Sequence, residues 1–288
     1  MAKLNVRDLL DAGLHYGHRV SRWNPKMRPY IHGKRNLIHI IDLRETMRGL
    51  ITANRFVRRI VAGGKDILFV GTKRHARGTI KAEALRCKMH FVNDRWLGGT
   101  LTNFRYIRSR LNRLFDLEEL FESGTIYNYT KKEASLLRRE RNKIHRNLEG
   151  IRNMEELPGA VFIIDPRRER IAVAECHRLG IPRICLADTD CDPDSADIII
   201  PGNDDAMRSV EIVTRHIADA ALDGLKRRGE QRPMQVMDRS KTPAPKTAAP
   251  AAETPAKAPS EAAATPTEAQ PEAGAQTPAD AAEAAKQN

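Results

Sequence analysis

A basic, glycine-containing turn follows the apolar run Ile67–Val70, and its residue types could bind a phosphate group. Residues 71–79 carry Lys73, Arg74 and Arg77 between a predicted strand and a predicted helix, where backbone amides can meet an anion. The turn has neither the Gly-Lys-Ser/Thr spacing of a Walker loop nor the Gly-x-Gly-x-x-Gly pattern of dinucleotide binding. A phosphate of RNA or of a nucleotide would suit it, and an ordinary strand–helix connection explains it about as well.

An acidic run offers oxygen ligands for a metal ion, because every second residue from 188 to 194 is an aspartate. Such alternation opens a calcium-binding loop, which also requires glycine at its sixth position and glutamate at its twelfth. Proline and isoleucine stand there, so these aspartates, with Asp204 and Asp205, are interpreted as turn and helix-capping residues. No metal site and no cofactor are predicted. A magnesium or zinc ion at this acidic rim would gain His15 or His18 only if the fold brought them near.

Motifs for covalent catalysis are absent from the sequence. There is no Gly-x-Ser-x-Gly, no His-Glu-x-x-His and no reactive-cysteine signature. Four widely spaced cysteines without a Cys-x-x-Cys pair are predicted to be reduced, mostly buried thiols (Cys87, Cys176, Cys185, Cys191). The apolar runs are far shorter than the roughly 20 residues of a spanning helix, and no secretory signal is recognised. We therefore expect a cytoplasmic protein that is not an enzyme.

The strongest functional pattern is a basic segment at residues 14–43. It contains no acid before Asp42, and Tyr16, Trp23 and Tyr30 are interleaved among its basic residues (Arg19, Arg22, Lys26, Arg28, Lys34 and Arg35). Its glycines and prolines predict an extended, loop-rich course. The cations could contact phosphates while the rings stack on unpaired bases, or the rings could pack on the domain beneath a solvated basic face. The lack of acids favours RNA binding, with Trp23 and Tyr30 expected mainly to anchor the segment. Residues 95–105 repeat this combination of glycines, bases and aromatics.

Charge and composition also favour a polyanionic partner. The 288 residues include 49 Lys and Arg against 37 Asp and Glu, a net charge of +12. Residues 241–288 consist almost entirely of small and polar residues and are predicted to form a disordered tail, connected by a linker at residues 229–240. The tail holds four of the 49 bases and six of the 37 acids, so the basic surplus lies in the preceding part of the chain.

Apolar runs alternate with helical patterns through most of the chain. Strands are predicted at residues 37–41, 67–70, 91–92, 160–164, 184–187 and 198–200, and helices at residues 43–61, 79–85, 171–179 and 206–222. This alternation, with strands that are apolar throughout, predicts a parallel sheet covered by helices on both faces.

Residues 104–151 interrupt the alternation with two apolar series in a highly charged background. The series are Phe104, Ile107, Leu111, Leu114 and Leu117, then Leu137, Ile144, Leu148 and Ile151. Their narrow seams predict two long helices that form an antiparallel coiled-coil hairpin. Two ordinary surface helices are the alternative.

Ten motifs resemble those of the bacterial small-subunit ribosomal protein S2 family. They lie, in the family's order, at residues 12–18, 22–27, 38–43, 69–73, 95–103, 157–160, 164–166, 180–182, 188–194 and 201–206. Three of them read Arg-Trp-Asn-Pro-Lys-Met, Arg-Trp-Leu-Gly-Gly-Thr-Leu-Thr-Asn and Pro-Gly-Asn-Asp-Asp-Ala. The resemblance covers about the first 228 residues, and the long Ala/Pro tail exceeds the usual family length.

The resemblance implies a flavodoxin-like three-layer α/β core at residues 1–103 and 156–228, with an inserted hairpin at residues 104–155. It further implies a structural constituent of the small subunit that binds small-subunit rRNA between head and body. Neighbouring ribosomal proteins would be partners, including protein S1, whose recruitment would support translation initiation. No catalytic activity, small-molecule substrate or membrane is implied. The candidate rRNA-binding residues are Arg19, Arg22, Lys26, Arg28, Lys34, Arg35, Lys73, Arg74, Arg77, Arg95, Asn103 and Arg105.

Overall fold

A computed structural model describes residues 5–231, in which a five-stranded parallel sheet forms the centre. The strands of this part are β1 (Tyr16–Arg19), β2 (Ile31–Arg35), β3 (Ile38–Ile41), β4 (Ile67–Val70), β5 (His90–Val92), β6 (Ala160–Ile164), β7 (Arg183–Ala187) and β8 (Ile198–Pro201). The parallel sheet has the order β5-β4-β6-β7-β8. The chain thus adds β5 on one side of β4 and all later strands on the other, an order consistent with a flavodoxin-like domain.

Helices precede and follow these strands. Within the described residues they are α1 (Val6–Asp11), α2 (Leu43–Ala62), α3 (Arg77–Arg86), α4 (Phe104–Glu122), α5 (Lys131–Leu148), α6 (Arg170–Leu179) and α7 (Met207–Gln231). The carboxylate of Asp42 accepts a hydrogen bond from the amide of Arg44 and so caps the start of α2. At the start of α5, Thr130 and Glu133 form a reciprocal capping box.

The central strands of the parallel sheet are buried on both sides, which shows that both faces of the sheet are covered. Apolar residues on both sides of a strand suit this position. Phe69 and Phe162 meet edge to face in neighbouring strands, with ring centroids 5.7 Å apart, and pack with α2, α3 and α7. Val161 and Ile163 point to the opposite face, where α6 and part of α4 cover them. The result is three layers: helices, sheet, helices.

The two helices predicted for residues 104–151 are present and pack against each other. Four residues of the first apolar series are buried on α4: Ile107, Leu111, Leu114 and Leu117. On α5, Leu148 is buried, whereas Leu137 and Ile144 are half-buried. Between the helices, Gly124 adopts a φ of +72°, which suits glycine at a tight turn.

The basic segment has more regular structure than its sequence predicts. β1, β3 and β2 form, in this spatial order, an antiparallel sheet, and 3-10 helices lie at Val20–Arg22 and Pro25–Tyr30. The predicted loop-rich course is therefore wrong, and β3 belongs to this small sheet rather than to the parallel one. Strands of four or five residues, separated by prolines, offer too few positions for a recognisable alternation.

Most other predicted elements are confirmed to within a few residues, and Ile67–Val70 and Ala160–Ile164 are reproduced without change. α1 was not predicted, and α7 continues to Gln231, nine residues beyond its predicted end at Leu222. The predicted tail at residues 241–288 lies outside the described residues. Across residues 5–231, no helix is both long and apolar enough to cross a membrane.

Candidate nucleic-acid interface

The basic segment is attached to the edge of the parallel sheet at which β7 and β8 end. Thr189, just after β7, accepts a hydrogen bond from the amide of His18 at its hydroxyl (3.0 Å) and one from the amide of Asn24 at its carbonyl (2.7 Å). The amide of Asn203, just after β8, donates to the carbonyl of Leu14 (3.0 Å). These contacts fix the position of the segment, so its exposed side chains lie on a defined surface.

The aromatic residues of the segment differ in their surroundings. Trp23 is half-buried and its ring lies 5.2 Å from that of His39, centroid to centroid. Tyr30 is also half-buried, and its carbonyl accepts a hydrogen bond from the amide of Asp42. Tyr16 keeps half of its surface exposed beside His15. Trp23 and Tyr30 thus contribute to packing, and Tyr16 is the ring most available for stacking on a base.

Eight of the basic candidates are exposed and have neither an ion pair nor a side-chain hydrogen bond within residues 5–231. They are Arg19, Arg22, Arg28, Lys34, Arg35, Arg74, Arg95 and Arg105. Arg19 and Arg22 share the lining of one cleft of about 500 Å³. Asn103, at the start of α4, is exposed and makes no side-chain capping bond. Unpaired surface cations are the groups that can release counterions when they contact phosphates.

Three other candidates are already neutralised by carboxylates. Lys26 pairs with Asp192 (3.2 Å) and also with Asp194, and Arg77 pairs with Asp94 (2.5 Å). Lys73 is the most enclosed, since only 10% of its side chain is exposed and its ammonium contacts three aspartates. A phosphate would have to compete with these partners, so the three are weaker candidates than the unpaired residues.

The turn after β4 has no free amides at its first two residues. The amide of Gly71 donates to the carbonyl of Val92 (3.0 Å), and that of Thr72 donates to the carboxylate of Glu169 (3.2 Å). Glu169 also accepts a hydrogen bond from the Thr72 hydroxyl. A carboxylate therefore stands where a bound phosphate would be expected, which favours the interpretation as a strand–helix connection.

Comparison with known proteins assigns the chain to a protein family. Residues 9–224 match the family model described as ribosomal protein S2. The chain belongs to this family. It is 55% identical, over 224 residues, to the small ribosomal subunit protein uS2 of Rhodopirellula baltica, an alignment that covers 78% of this chain and 86% of that relative.

In this member of the ribosomal protein S2 family, the loop at residues 95–105 is organised by a buried glutamate. Glu175 on α6 is 7% exposed and accepts hydrogen bonds from the indole of Trp96 (3.0 Å) and from the amides of Gly99 (2.8 Å), Leu101 (2.9 Å) and Thr102 (3.1 Å). Trp96 is itself buried, so its ring belongs to the core rather than to an RNA-binding surface. These hydrogen bonds fix the course of the loop, and Arg95 and Arg105 are exposed at its ends.

Glu175 was missed from the sequence, although a signal was present. It lies between Ala172 and Cys176 on the buried face of α6, where a charged residue requires a partner. Arg168 was also not singled out; it shares a cleft of about 410 Å³ with Arg77 and Arg95, and its guanidinium donates to the Thr72 hydroxyl (3.2 Å).

A cluster of carboxylates around Lys73 lies at the same edge of the sheet. The Lys73 ammonium is 2.9 Å from Asp165, 2.8 Å from Asp204 and 2.8 Å from Asp205. Next to it, Nδ1 of His18 is 2.7 Å from Asp188 Oδ2. We call these six residues the aspartate cluster.

Burial and neighbouring charges shift the pKa values of four members of the aspartate cluster, among them His18 and Asp204. The hydrogen bond to Asp188 outweighs burial and raises the pKa of His18 to about 9. Complete burial, with Asp165 and Asp188 nearby, raises the pKa of Asp204 to about 8 despite the ammonium of Lys73. At neutral pH, His18 is therefore mostly protonated and Asp204 mostly neutral.

The predicted capping role holds for some of the aspartates at residues 188–194 and 204–205 but not for others. Asp192 caps the 3-10 helix Pro193–Ser195, as a turn residue should. Asn203, rather than Asp204 or Asp205, provides the side-chain oxygen that caps the turn before α7, by accepting from the amides of Asp205 and Ala206. The interpretation of Asp204 or Asp205 as the cap of this helix was therefore wrong.

Proposed function

We propose that this protein is a structural constituent of the small ribosomal subunit that binds small-subunit rRNA. The observation that carries the proposal is the set of exposed, unpaired basic side chains on a segment that is hydrogen-bonded to the edge of the parallel sheet, together with family membership. The relative from Rhodopirellula is described as a small ribosomal subunit protein, which supports the same assignment.

The RNA interface is centred on the small antiparallel sheet and its two 3-10 helices. Arg19, Arg22, Arg28, Lys34 and Arg35 are its main phosphate contacts, and Arg74, Arg95, Asn103 and Arg105 extend it along the edge of the parallel sheet. Lys26, Lys73 and Arg77 support this surface through their ion pairs. Cations of this kind recognise the RNA backbone and its shape more than its sequence.

The proposal includes a position on the subunit and a set of partners. The protein would lie between the head and the body, contact neighbouring ribosomal proteins including S1, and support S1 recruitment and translation initiation. It would accordingly be cytoplasmic and ribosome-bound, without catalytic activity, cofactor or small-molecule substrate.

The proposed domain organisation has a flavodoxin-like core at residues 1–103 and 156–228, and an inserted coiled-coil hairpin at residues 104–155. Mutual packing of α4 and α5 and the pair between Arg113 and Glu140 (3.5 Å) support the hairpin. A linker at residues 229–240, of which the first three residues continue α7, and the tail predicted from the sequence at residues 241–288 complete the organisation; residues 232–288 lie outside the described part of the chain.

Replacing Arg22, Arg28 and Lys34 together with alanine is expected to weaken binding of the full-length protein to small-subunit rRNA. It should also reduce the slope of log K against log salt concentration by about one unit for every phosphate that these side chains neutralise in the wild type. Affinities measured at several salt concentrations give this slope.

A matched control removes the same number of positive charges from paired residues outside the proposed interface: Arg48, Arg113 and Arg215. The control should leave the slope much closer to that of the wild type, because these side chains already have carboxylate partners. Equal changes in the two triple variants would mean that net charge, rather than contact by the basic segment, governs binding.

Sedimentation of a cell lysate tests the ribosomal assignment directly. The full-length protein is expected to migrate with small subunits at low salt, because many phosphate contacts act together. Finding it free under these conditions would contradict the proposal.

A nucleotide-dependent enzyme that uses the turn at residues 71–73 is the competing function. Nucleotide binding by the purified protein distinguishes the two, since micromolar affinity with turnover would replace the structural role. The amides of Gly71 and Thr72 already donate hydrogen bonds within the protein, which argues against nucleotide binding at this turn.

A further inference from the structure

The hairpin that joins β2 to β3 contains a strained turn at its tip. Asn36 and Leu37 are the two central residues, with φ of +50° and +62°, and Arg35 and Ile38 on either side are paired with each other. Positive φ at both central residues is characteristic of a type I′ turn, which favours asparagine followed by glycine. Asn36 suits this turn, but the β-carbon of Leu37 crowds the backbone in the left-handed conformation. Leucine is therefore less favourable here than glycine would be.

The side chain of Leu37 is also largely exposed. Its exposed fraction is 77%, more than that of any other large aliphatic side chain within residues 5–231. The carbonyl of Leu37 accepts a hydrogen bond from the amide of Val20 (3.0 Å), so the backbone of the turn is held while the side chain faces solvent. Single apolar residues on a surface are common. One that also has a strained backbone is an outlier, and such outliers concentrate at functional sites.

Unpaired cations flank this apolar tip. Lys34 and Arg35 precede the turn on β2, and Arg19 on β1 lies opposite Ile38 on β3. All three basic side chains are exposed, and none has an ion pair or a side-chain hydrogen bond in the part of the chain that the structure describes. The charge around Leu37 is therefore complementary to a polyanion.

We propose that Leu37 makes an apolar contact with small-subunit rRNA, in the minor groove of a helix whose phosphates meet Lys34, Arg35 and Arg19. This inference rests on the proposed RNA-binding function and adds a contact that is not electrostatic. The minor groove of an RNA helix is wide and shallow and displays 2′-hydroxyls and base edges, so a side chain at the tip of a two-residue turn can reach them. Burial of the leucine against RNA removes apolar surface from water and offsets the strain of the turn.

Leu37→Gly tests the proposal, because glycine adopts this turn without strain but lacks the side chain. The Tm of the full-length protein should rise by about 2–4 °C, whereas its affinity for small-subunit rRNA should fall about 10-fold. The fall should be the same at every salt concentration, because loss of an apolar side chain changes no phosphate contact and leaves the slope of log K against log salt concentration unaltered. Higher stability combined with weaker binding distinguishes a contact with RNA from a structural role.

Two further substitutions separate the apolar contact from the flexibility of the turn. Leu37→Asn keeps a β-carbon and tolerates the left-handed conformation but is polar, so it should bind about as weakly as Leu37→Gly. Leu37→Met stays apolar and should bind within about threefold of the wild type. If Leu37→Asn bound as tightly as the wild type, the loss in Leu37→Gly would come from a looser turn, and the proposal would be overturned.

Leu85→Ala is the matched control, because Leu85 is a 58% exposed leucine on α3, outside the proposed interface. It should bind RNA like the wild type. Wild-type RNA affinity of Leu37→Gly would contradict the proposal, and reduced incorporation of that variant into subunits would then place Leu37 against a protein. The RNA-binding function itself is tested separately, since the triple alanine variant of Arg22, Arg28 and Lys34 would still lower the salt slope if only the contact of Leu37 were absent.

Discussion

Replacing Glu175 with alanine should lower the free energy of unfolding by about 3–4 kcal/mol, because several buried hydrogen-bond donors lose their acceptor at once. The indole of Trp96 and three backbone amides of the loop at residues 95–105 converge on this one carboxylate. Urea denaturation of the wild type and the variant gives the difference. The loop would also lose its fixed course, so Arg95 and Arg105 would no longer have defined positions.

Glu211→Ala is the control for this prediction. Glu211 is exposed on α7 and pairs with Arg215 at 2.9 Å, and loss of such a surface pair changes stability by less than about 0.5 kcal/mol. If Glu175→Ala were no more destabilising than Glu211→Ala, the buried carboxylate would not be what holds the loop.

The same site predicts a dependence on pH. Burial alone would raise the pKa of Glu175, but the hydrogen bonds from Trp96 and from the loop amides lower it below its ordinary value of 4.5. A lowered pKa in the folded state means that the ionised group stabilises the fold above this value and that the contribution is lost as the pH falls further. The stability difference between wild type and Glu175→Gln should therefore shrink as the pH falls below the ordinary value of 4.5.

Gly49→Ala is the second substitution with a large expected effect, a loss of about 2–3 kcal/mol. In an open helix this change would stabilise the protein by about 1 kcal/mol. Here a β-carbon would lie 2.3 Å from the carbonyl oxygen of Ile199 and 3.2 Å from Cα of Ile200, so α2 and β8 would have to separate. Steric overlap with the backbone outweighs helix propensity.

Gly78→Ala provides the comparison, because it is the same change within α3 and a β-carbon there meets nothing within 4 Å. It should leave stability unchanged or raise it by up to about 1 kcal/mol in the same urea experiment. If both alanine variants were stabilising, α2 would not approach β8 as closely as the structure has it.

The parallel sheet could be predicted from the sequence because each of its strands is a nearly continuous apolar run. Ile67–Val70 and Ala160–Ile164 are such runs, and burial on both faces removes the need for any alternation. The helices could be predicted for the complementary reason that one apolar face recurs every three or four residues. The close packing of α2 on β8 at Gly49 could not be predicted. A glycine within a helical pattern does not show which other element the helix will contact.

The basic surface was predictable as a composition but not as a geometry. Arg22 and Lys26 look alike in the sequence, yet only Lys26 meets the aspartates at residues 192 and 194, which are 166 and 168 residues away. His18 and Asp188 are likewise 170 residues apart, so their contact could not be recognised from the sequence either. Pairing across the chain depends on tertiary structure, so sequence alone could not separate the unpaired cations from the neutralised ones.

The attachment of the basic segment to Thr189 and Asn203 has a consequence for the order of events during synthesis. The segment is made first, but the residues that attach it to the parallel sheet lie 165 or more residues later, as the 171-residue separation of His18 and Thr189 illustrates. Its small sheet therefore cannot reach its final position until nearly the whole domain has emerged. A nascent chain truncated before β7 would expose the same cations without their fixed arrangement. The face that we propose binds RNA is therefore completed last, although its residues come first.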